Sequence, residues 1–166
     1  MPGNGCRRPN HLACRSYRKP WLMLVHFACG AWQDWSEFKN LAGRVWDPDM
    51  RPHDARGSFT VDIADPDHPI TRGLVAFETD DELYTCLAGN RPVHVIASAK
   101  SKVAGRDYPL AFVFNYGQGG VFHTVLGHDL KAITNSTVTE LFRRGCAWSA
   151  ELAPPHRQLN EPPETR

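Results

Sequence analysis

The feature that most constrains the fold is a short, almost entirely apolar run, Leu22–Phe27, near the start of the chain. A run of this length without alternation is typical of a strand buried on both faces, as in a parallel sheet covered by helices. A helix is predicted next, because Asp34 can cap it, Glu37 follows as in a capping box, and Gly43 ends the apolar stripe. The run therefore predicts an α/β domain that begins with a strand, a loop and a helix.

Further strands are predicted where apolar and β-branched residues cluster between turn signals. They are Phe59–Ile63, Leu83–Leu87, Val93–Ala97, Leu110–Phe114 and Val121–Leu126. The glycine-rich Tyr116–Gly120 is predicted to join the last two as a hairpin. Apolar spacing predicts a closing helix over Ser136–Ser149, with Arg143 and Arg144 outside its apolar face. Because strands first alternate with a helix and later follow one another, we expect a mixed sheet.

Length and composition fit one globular domain, since the chain has 166 residues, of which 42% are hydrophobic and 22% charged. A formal net charge of +1 gives no general attraction for polyanions, so nucleic acid is not an expected partner. No apolar run approaches the roughly 20 residues that span a bilayer, so no membrane association is expected. Five cysteines without a CxxC pair indicate free thiols, which favours a cytoplasmic location.

The two ends of the chain differ from its centre. Residues 1–20 are rich in arginine, proline and glycine without periodicity, and we expect them to be irregular. Residues 152–166 contain two Pro-Pro pairs among polar neighbours and are predicted to form a disordered tail. The folded domain is therefore expected over 21–151.

Two histidines lie at the ends of predicted strands, His26 after Leu22–Val25 and His128 just after Val121–Leu126. Open α/β sheets bind ligands beyond the carboxyl ends of their strands, so both imidazoles are expected at a site. Between them the chain offers His53-Asp54 and the acidic run Asp80–Glu82, which leads to Tyr84. Imidazoles and carboxylates are the side chains that acid–base and metal chemistry use most.

Six short segments resemble the ThuA-like (trehalose utilisation) family in their order and spacing. They are His26–Trp35, His53–Asp54, Asp67–Gly73, Asp80–Tyr84, Tyr116–Gly119 and Leu126–Asp129. The resemblance covers about Leu22 to Ala150 and implies a flavodoxin-like, class I glutamine amidotransferase-like three-layer sandwich with a link to bacterial carbohydrate catabolism. The family normally has two or three strand–helix units upstream of the strand matched here. The resemblance therefore also implies that this domain is N-terminally truncated, with residues 1–20 foreign to the family.

A family-like fold would bring the candidate residues into one crevice, although no pair of them has HxH or HxxxH spacing. The catalytic candidates are His26, Glu82 and His128, and the substrate-binding candidates are Trp32, His53, Asp54, Tyr84 and Asp129. The candidate ligands of a divalent metal are His26, His53, Glu82 and His128, and zinc, manganese or iron would suit them. The expected partner is a small-molecule carbohydrate, either a disaccharide or an oxidised sugar derivative, and the chain is compatible with an oligomer. The competing interpretation is that these histidines are hydrogen-bonded structural residues.

Two other functions stay open from the sequence. One alternative is a non-catalytic sugar-binding or accessory module. Trp32 and Trp35 could form a wall beside His26 for the apolar face of a pyranose, although core packing is the simpler role for Trp35. In a cysteine-dependent amidase of amidotransferase type, Cys29 would be the nucleophile and His128 its base. The residue two positions before Cys29 is not the glycine that a tight nucleophile turn favours, which indicates a packed loop cysteine instead.

Three further histidines are expected to be structural. His68 precedes a proline in a turn, where its imidazole could fix the local backbone. His94 and His123 lie within predicted strands and are expected to be half-buried packing residues.

Overall fold

Six strands form one mixed sheet in the computed structural model, which describes residues 21–50 and 53–151. The strands are β1 Leu22–Val25, β2 Gly57–Ile63, β3 Phe77–Asp81, β4 His94–Lys100, β5 Asp107–Tyr116 and β6 Gly119–Thr124. Their order across the sheet is β1-β6-β5-β4-β2-β3, with β1 and β6 parallel and every other neighbouring pair antiparallel. The predicted irregular start over 1–20 and the predicted tail over 152–166 lie outside the described residues.

Three α-helices and one 3₁₀ turn complete the described part of the chain. They are the 3₁₀ turn His26–Gly30, α1 Ser36–Ala42, α2 Leu130–Ile133 and α3 Ser136–Ser149. None of the helices in the described ranges is long and apolar enough to cross a membrane.

The neighbouring residues Phe122 and His123 of β6 show that the sheet carries helices on both faces. A side chain at Gly145 of α3 would collide with the Phe122 ring, so the glycine allows α3 to lie close to the sheet. On the other face, His123 Nδ1 lies 2.9 Å from the carbonyl oxygen of Ala42, the last residue of α1. Because successive strand residues point to opposite faces, α1 and α3 cover opposite sides of β6. The predicted three-layer α/β arrangement is confirmed.

The predicted hairpin and the first predicted strand are close to the observed elements. The hairpin at Tyr116–Gly120 is confirmed, with Tyr116 paired to Gly119 across the turn. The first strand is shorter than predicted and ends at Val25, because His26 has a φ of 47° and starts the 3₁₀ turn. The sheet is mixed, as predicted.

The strand predicted over Leu83–Leu87 is wrong, and β3 lies just before it. Leu83 and Tyr84 are nevertheless buried, and Tyr84 makes an isolated bridge to His53. Their apolar character therefore reflects packing of a loop. The observed β3 is hard to recognise because three of its five residues are acidic, and it is stabilised by pairing along β2 from Gly57↔Asp81 to Val61↔Phe77.

The predicted capping box of α1 is also wrong. The N-cap residue is Trp35, which makes no side-chain capping bond, so Asp34 does not cap the helix. The Glu37 carboxylate instead accepts a hydrogen bond of 2.6 Å from the Tyr116 hydroxyl and one of 3.0 Å from the Asn40 amide. Glu37 thus links α1 to the end of β5.

The closing helix α3 has the predicted bounds, Ser136–Ser149. One of its arginines differs from the prediction, because Arg144 is buried rather than outside the packed face. Its Nε donates to Glu140 at 2.7 Å and its Nη1 donates to the carbonyl oxygen of Arg72 at 2.6 Å. The buried Arg144 guanidinium donates both to a carboxylate and to a backbone carbonyl oxygen, so its charge is paired and hydrogen-bonded there.

Candidate functional site

One edge of the sheet collects the ends of several strands. Strands β1, β3 and β6 all end there, so the residues that follow them, His26, Glu82 and the Gly127-His128 loop, meet at this edge. Strand β2 runs antiparallel to β3 and begins at the same edge, which places His53 beside Tyr84. The topology therefore brings together residues that are far apart in sequence.

Glu82 lies at the centre of three imidazoles. Its carboxylate oxygens lie 3.1 Å from His128 Nδ1, 3.8 Å from His53 Nε2 and 4.0 Å from His26 Nε2. The Glu82 side chain is only 14% exposed, whereas that of His128 is 39% exposed. One ligand atom each from His26, Glu82 and His128 lies within 4.8 Å of the other two. The structure thus gathers these four predicted residues into one cluster, and their catalytic and metal-binding roles stay predictions.

Two of the imidazoles are oriented by backbone carbonyl groups. His26 Nδ1 lies 3.2 Å from the carbonyl oxygen of Val125, and His53 Nδ1 lies 2.8 Å from that of Asp54. A carbonyl oxygen can only accept a hydrogen bond, so each Nδ1 carries the proton that it donates. In the neutral ring, each Nε2 then presents a lone pair on the side of the Glu82 carboxylate. Lone pairs that converge on a carboxylate form an arrangement suited to a cation.

Asp81 positions this cluster and was not recognised from the sequence. Its fully buried carboxylate accepts hydrogen bonds from three backbone N–H groups, those of Glu82 at 2.8 Å, Gly127 at 2.7 Å and His128 at 3.1 Å. Gly127 has a φ of 107°, a conformation that favours glycine. Asp81 therefore connects the end of β3 to the loop after β6 and sets the positions of both Glu82 and His128. An acid at the inward-facing end of a strand is the signal that could have revealed it.

The backbone at His26 adopts a left-handed conformation that is uncommon for a residue with a side chain. It turns the chain out of β1, and the imidazole packs edge-on against Tyr84 and His128 at centroid distances of 5.5 and 5.3 Å. Strain of this kind is retained where the surrounding structure enforces it, often at functional sites. Here the carbonyl of Val125 and the two rings hold the His26 imidazole.

Tyr84 lies beneath the cluster, with only 3% of its surface exposed. Its ring contacts the imidazoles of His26 and His53, at centroid distances of 5.5 and 5.4 Å. Burial is the largest effect that raises the pKa of its hydroxyl, followed by the nearby Cys29 and Glu82. Tyr84 therefore stays protonated at neutral pH and supports the imidazoles, rather than lining an open crevice.

The contacts of Asp54 and Asp129 favour structural roles over the predicted substrate contacts. Asp54 is buried, and its Oδ2 accepts a hydrogen bond of 2.7 Å from the Ser101 hydroxyl. Asp129 caps α2 by accepting from the backbone N–H of Ala132 at 2.9 Å and pairs with Arg56 at 2.6 Å. These bonds hold the loops that flank the cluster.

The environment of Cys29 argues against the cysteine-dependent amidase. Cys29 is fully buried, and burial raises the pKa of its thiol to about 11. The reactive thiolate is therefore scarce at neutral pH. In addition, His128, the proposed base, turns its Nδ1 to Glu82. Cys29 behaves as the packed loop cysteine that the sequence favoured.

Trp32 does not take part in the histidine cluster by any contact that the described residues show. Its ring contacts Trp35 and Phe38, and together with Trp46 they line a separate cleft next to the 3₁₀ turn. The predicted pair of tryptophans, Trp32 and Trp35, thus lies on the surface at 65% and 41% exposure.

Comparison with known proteins identifies relatives of this fold. A family model described as trehalose utilisation, ThuA, matches residues 22–149. A ThuA-like protein from Parabacteroides merdae ATCC 43184 has a similar structure with a TM-score of 0.72 at 22% identity, over 87% of this chain and 66% of that one. A ThuA-like protein from Bacteroides uniformis ATCC 8492 has a TM-score of 0.60 at 18% identity, over 76% of this chain and 57% of that one. No curated protein matches the chain.

At 22% and 18% sequence identity, the two structures establish that this chain shares their α/β fold. The chain spans less than two thirds of the length of either structure.

Proposed function

The chain belongs to the ThuA, or trehalose utilisation, family, and we propose that its His26–His53–Glu82–His128 cluster binds one divalent metal ion and acts on a small carbohydrate. The proposed substrate class is a disaccharide or an oxidised sugar derivative. The observation that carries the proposal is the Glu82 carboxylate facing three imidazoles at 3.1 to 4.0 Å. A carbohydrate substrate is supported by the family description alone.

The donor set fits a transition metal better than calcium or magnesium. Imidazole nitrogen with one carboxylate suits zinc, manganese or iron, whereas calcium and magnesium prefer oxygen ligands throughout. The backbone carbonyls that accept from His26 Nδ1 and His53 Nδ1 supply the outer contacts that typically orient metal-binding histidines. When bound, such an ion would supply Lewis-acid polarisation of a sugar oxygen.

The residues of the cluster have different proposed roles in binding, orientation and proton transfer. His26 and His53 are held by backbone and present Nε2, so they orient and bind. His128 is the most exposed imidazole of the three and contacts Glu82 at 3.1 Å, so this pair can hold a proton between them and exchange it through the exposed imidazole. Asp81 keeps both members of the pair in place through the backbone.

Elemental analysis of the purified full chain, after loading with zinc, manganese or iron, tests the proposal. We expect about one equivalent of metal in the unmodified protein and none in His128→Ala, because that variant removes one converging ligand. His94→Ala is the matched control, since His94 is an exposed histidine paired with Asp65. A protein that retains none of the three metals would contradict the proposal, as would an equal metal content in His128→Ala.

A non-catalytic sugar-binding module is the second candidate, and the exposed Trp32 and Trp35 are the observation that favours it. The two candidates differ in what His128→Ala does to a carbohydrate mixture incubated with the protein. For an enzyme, conversion of the sugar disappears in the variant. For a binding module, no conversion occurs in either protein, and the variant still binds the sugar.

A further inference from the structure

A second cleft lies beside the 3₁₀ turn, between α1 and the segment that follows it. Its volume is about 410 Å³, within the roughly 300–1,000 Å³ of small-molecule sites. We name it the tryptophan cleft, after Trp32, Trp35 and Trp46, which line it together with the polar side chains of Gln33, Lys39 and Asp47. We propose that the tryptophan cleft is a binding subsite for one pyranose ring of the carbohydrate substrate. This inference rests on the proposed function, because it states where part of that substrate is held.

The rings of the cleft are exposed and yet fixed in position. Trp32 is 65% exposed and Trp35 41% exposed, although large aromatic side chains are usually mostly buried. The Trp32 ring packs against the buried Phe38 at a centroid distance of 5.1 Å, and Trp35 stacks on the same ring at 6.3 Å. A rigid aromatic surface of this kind offers contact area at little cost in side-chain entropy. The backbone at Trp32 also has a φ of 45°, an outlier that keeps the indole at the opening.

Polar groups surround these rings in the way that a pyranose requires. One face of a pyranose presents C–H groups, whereas its rim presents hydroxyl groups that both donate and accept hydrogen bonds. Lys39 supplies donors at the cleft, the Asp47 carboxylate supplies acceptors, and Gln33 supplies both. Gln33 is held by a 3.0 Å bond from its amide to the carbonyl of Gly30. A mixed lining of this kind favours a sugar over a purely apolar ligand or the apolar face of another protein.

The cleft and the histidine cluster share one structural element. His26 begins the 3₁₀ turn, and Ala31, directly after its end, lines the cleft. The backbone N–H of Trp46 donates to the carbonyl of Cys29 in the same turn at 3.0 Å, and the Phe27 ring packs on Trp46 at 5.7 Å. The turn therefore fixes the cleft relative to His26, as a substrate with two sugar rings would need.

Saturation-transfer NMR titrations of the full chain with methyl α-D-glucopyranoside and with α,α-trehalose test the inference. We expect Trp32→Ala to weaken binding about tenfold or more, because one ring contact is lost. Trp32→Phe, which keeps an aromatic face, is expected to stay within about threefold of the unmodified protein. Val75→Ala is the matched control, because Val75 is a comparably exposed apolar residue, at 74%, that does not line the cleft.

Two results would overturn the subsite. One is the absence of transfer to both sugars in the unmodified protein, or equal binding by Trp32→Ala. The other is concentration-dependent self-association that Trp32→Ala abolishes, since a second copy of the chain would then cover the cleft.

Metal content distinguishes failure of the subsite from failure of the proposed metal site. Sugar binding that depends on Trp32 in a protein without metal supports the subsite alone, whereas bound metal with sugar binding indifferent to Trp32 removes the subsite alone.

Discussion

Two groups of histidines lie at opposite edges of the sheet, and each includes an acidic residue that pairs with at least one imidazole. At the edge where β2 ends and β4 begins, His94 Nε2 pairs with Asp65 at 2.8 Å, and His68 packs edge-on against His94. At the other edge, His26, His53 and His128 surround Glu82. Both groups combine imidazoles with a carboxylate. They differ in whether that carboxylate also accepts hydrogen bonds from the backbone.

The Asp65 carboxylate both accepts hydrogen bonds from the backbone and pairs with the His94 imidazole. It accepts from the N–H groups of Asp67 and His68 at 3.0 and 3.2 Å, and these bonds shape the turn. His68 is likewise committed, since its Nδ1 accepts from the N–H of Ile70 at 3.2 Å. As the sequence predicted, His68 fixes a turn. Burial is the main cause that lowers its pKa, and the charge of His94 adds to the effect.

At the Glu82 edge, one acid accepts the backbone hydrogen bonds and the next acid faces the imidazoles. Asp81 accepts the backbone N–H groups, and Glu82, whose side chain leaves the backbone in another direction, faces the imidazoles. Because Asp81 accepts the structural hydrogen bonds, the neighbouring Glu82 carboxylate is left to face the imidazoles.

Glu82→Gln is expected to abolish metal binding, because it removes the only carboxylate in the group of converging ligand atoms among the described residues. Asp65→Asn, the equivalent change at the opposite edge, should leave metal affinity unchanged. A competition titration with a chromogenic chelator measures both variants. If the two variants retain equal affinity, the distinction between the edges is wrong.

His123 has a third kind of environment, in which no carboxylate of the described residues pairs with the imidazole. It is fully buried rather than half-buried as predicted, and burial lowers its pKa to about 4. Because the unfolded state binds a proton at higher pH than the folded state does, stability is complete above the unfolded pKa and decreases as pH falls from about 6.5 to about 4. The shift corresponds to about 3 kcal/mol of unfolding free energy.

Urea unfolding at pH 7 and at pH 4.5 measures this effect. His123→Phe should reduce the pH dependence in that window, leaving the smaller contributions that His68 and carboxylates with a lowered pKa, such as Glu37, make in the same direction. The variant is expected to be less stable at pH 7, because the carbonyl of Ala42 loses its donor. An unchanged pH dependence in His123→Phe would assign the effect to other groups.

Asp81→Asn tests whether the structural carboxylate is needed at the Glu82 edge. Its amide can accept fewer of the three backbone N–H groups, so we expect a loss of about 2 kcal/mol in stability and about tenfold in metal affinity. Asp80→Asn is the matched control, since Asp80 is adjacent and makes surface ion pairs with Arg56 and Lys131. That change should cost less than about 1 kcal/mol. Metal affinity unaffected by Asp81→Asn would show that Glu82 and His128 need no such support.

His94→Ala is expected to have the smallest effect. The His94 side chain is 55% exposed, and an exposed ion pair contributes less than about 1 kcal/mol. Thermal unfolding should therefore show a small change, and metal content none. A loss of metal in this variant would make the two edges equivalent and would contradict the comparison.

The elements that the sequence predicted well are those with a strong local signal. The hairpin at Tyr116–Gly120 and the helix Ser136–Ser149 depend on glycine turns and helical apolar spacing, which act over a few residues. Strand β3 was missed because its polar residues are stabilised by pairing with β2, which is remote in sequence. Arg144 was placed outside for the same kind of reason, since its partner carbonyl, that of Arg72, is 72 residues away.

In the candidate site, too, residues with a local sequence signal could be predicted, and those defined by distant partners could not. His26 and His128 could be recognised because a polar residue directly after a buried strand points to the binding edge of an α/β sheet. Glu82 could be named as a candidate but not distinguished from Asp81, because the two acids are adjacent and only their surroundings separate them. The sequence could not show that Asp54 bonds to Ser101 or that Asp129 pairs with Arg56, since these partners are distant along the chain.

By itself, the sequence determined the fold class, the family and the strand-end histidines, because buried strands, glycine turns and motif order are local properties of the chain. The tertiary contacts set which acid faces those histidines and which acid holds the backbone, and they bury Cys29, which raises the pKa of its thiol. The physical reason is that hydrogen-bond partners and burial depend on residues brought together from distant parts of the chain. Only the folded sheet brings the ends of β1, β3 and β6 to one edge.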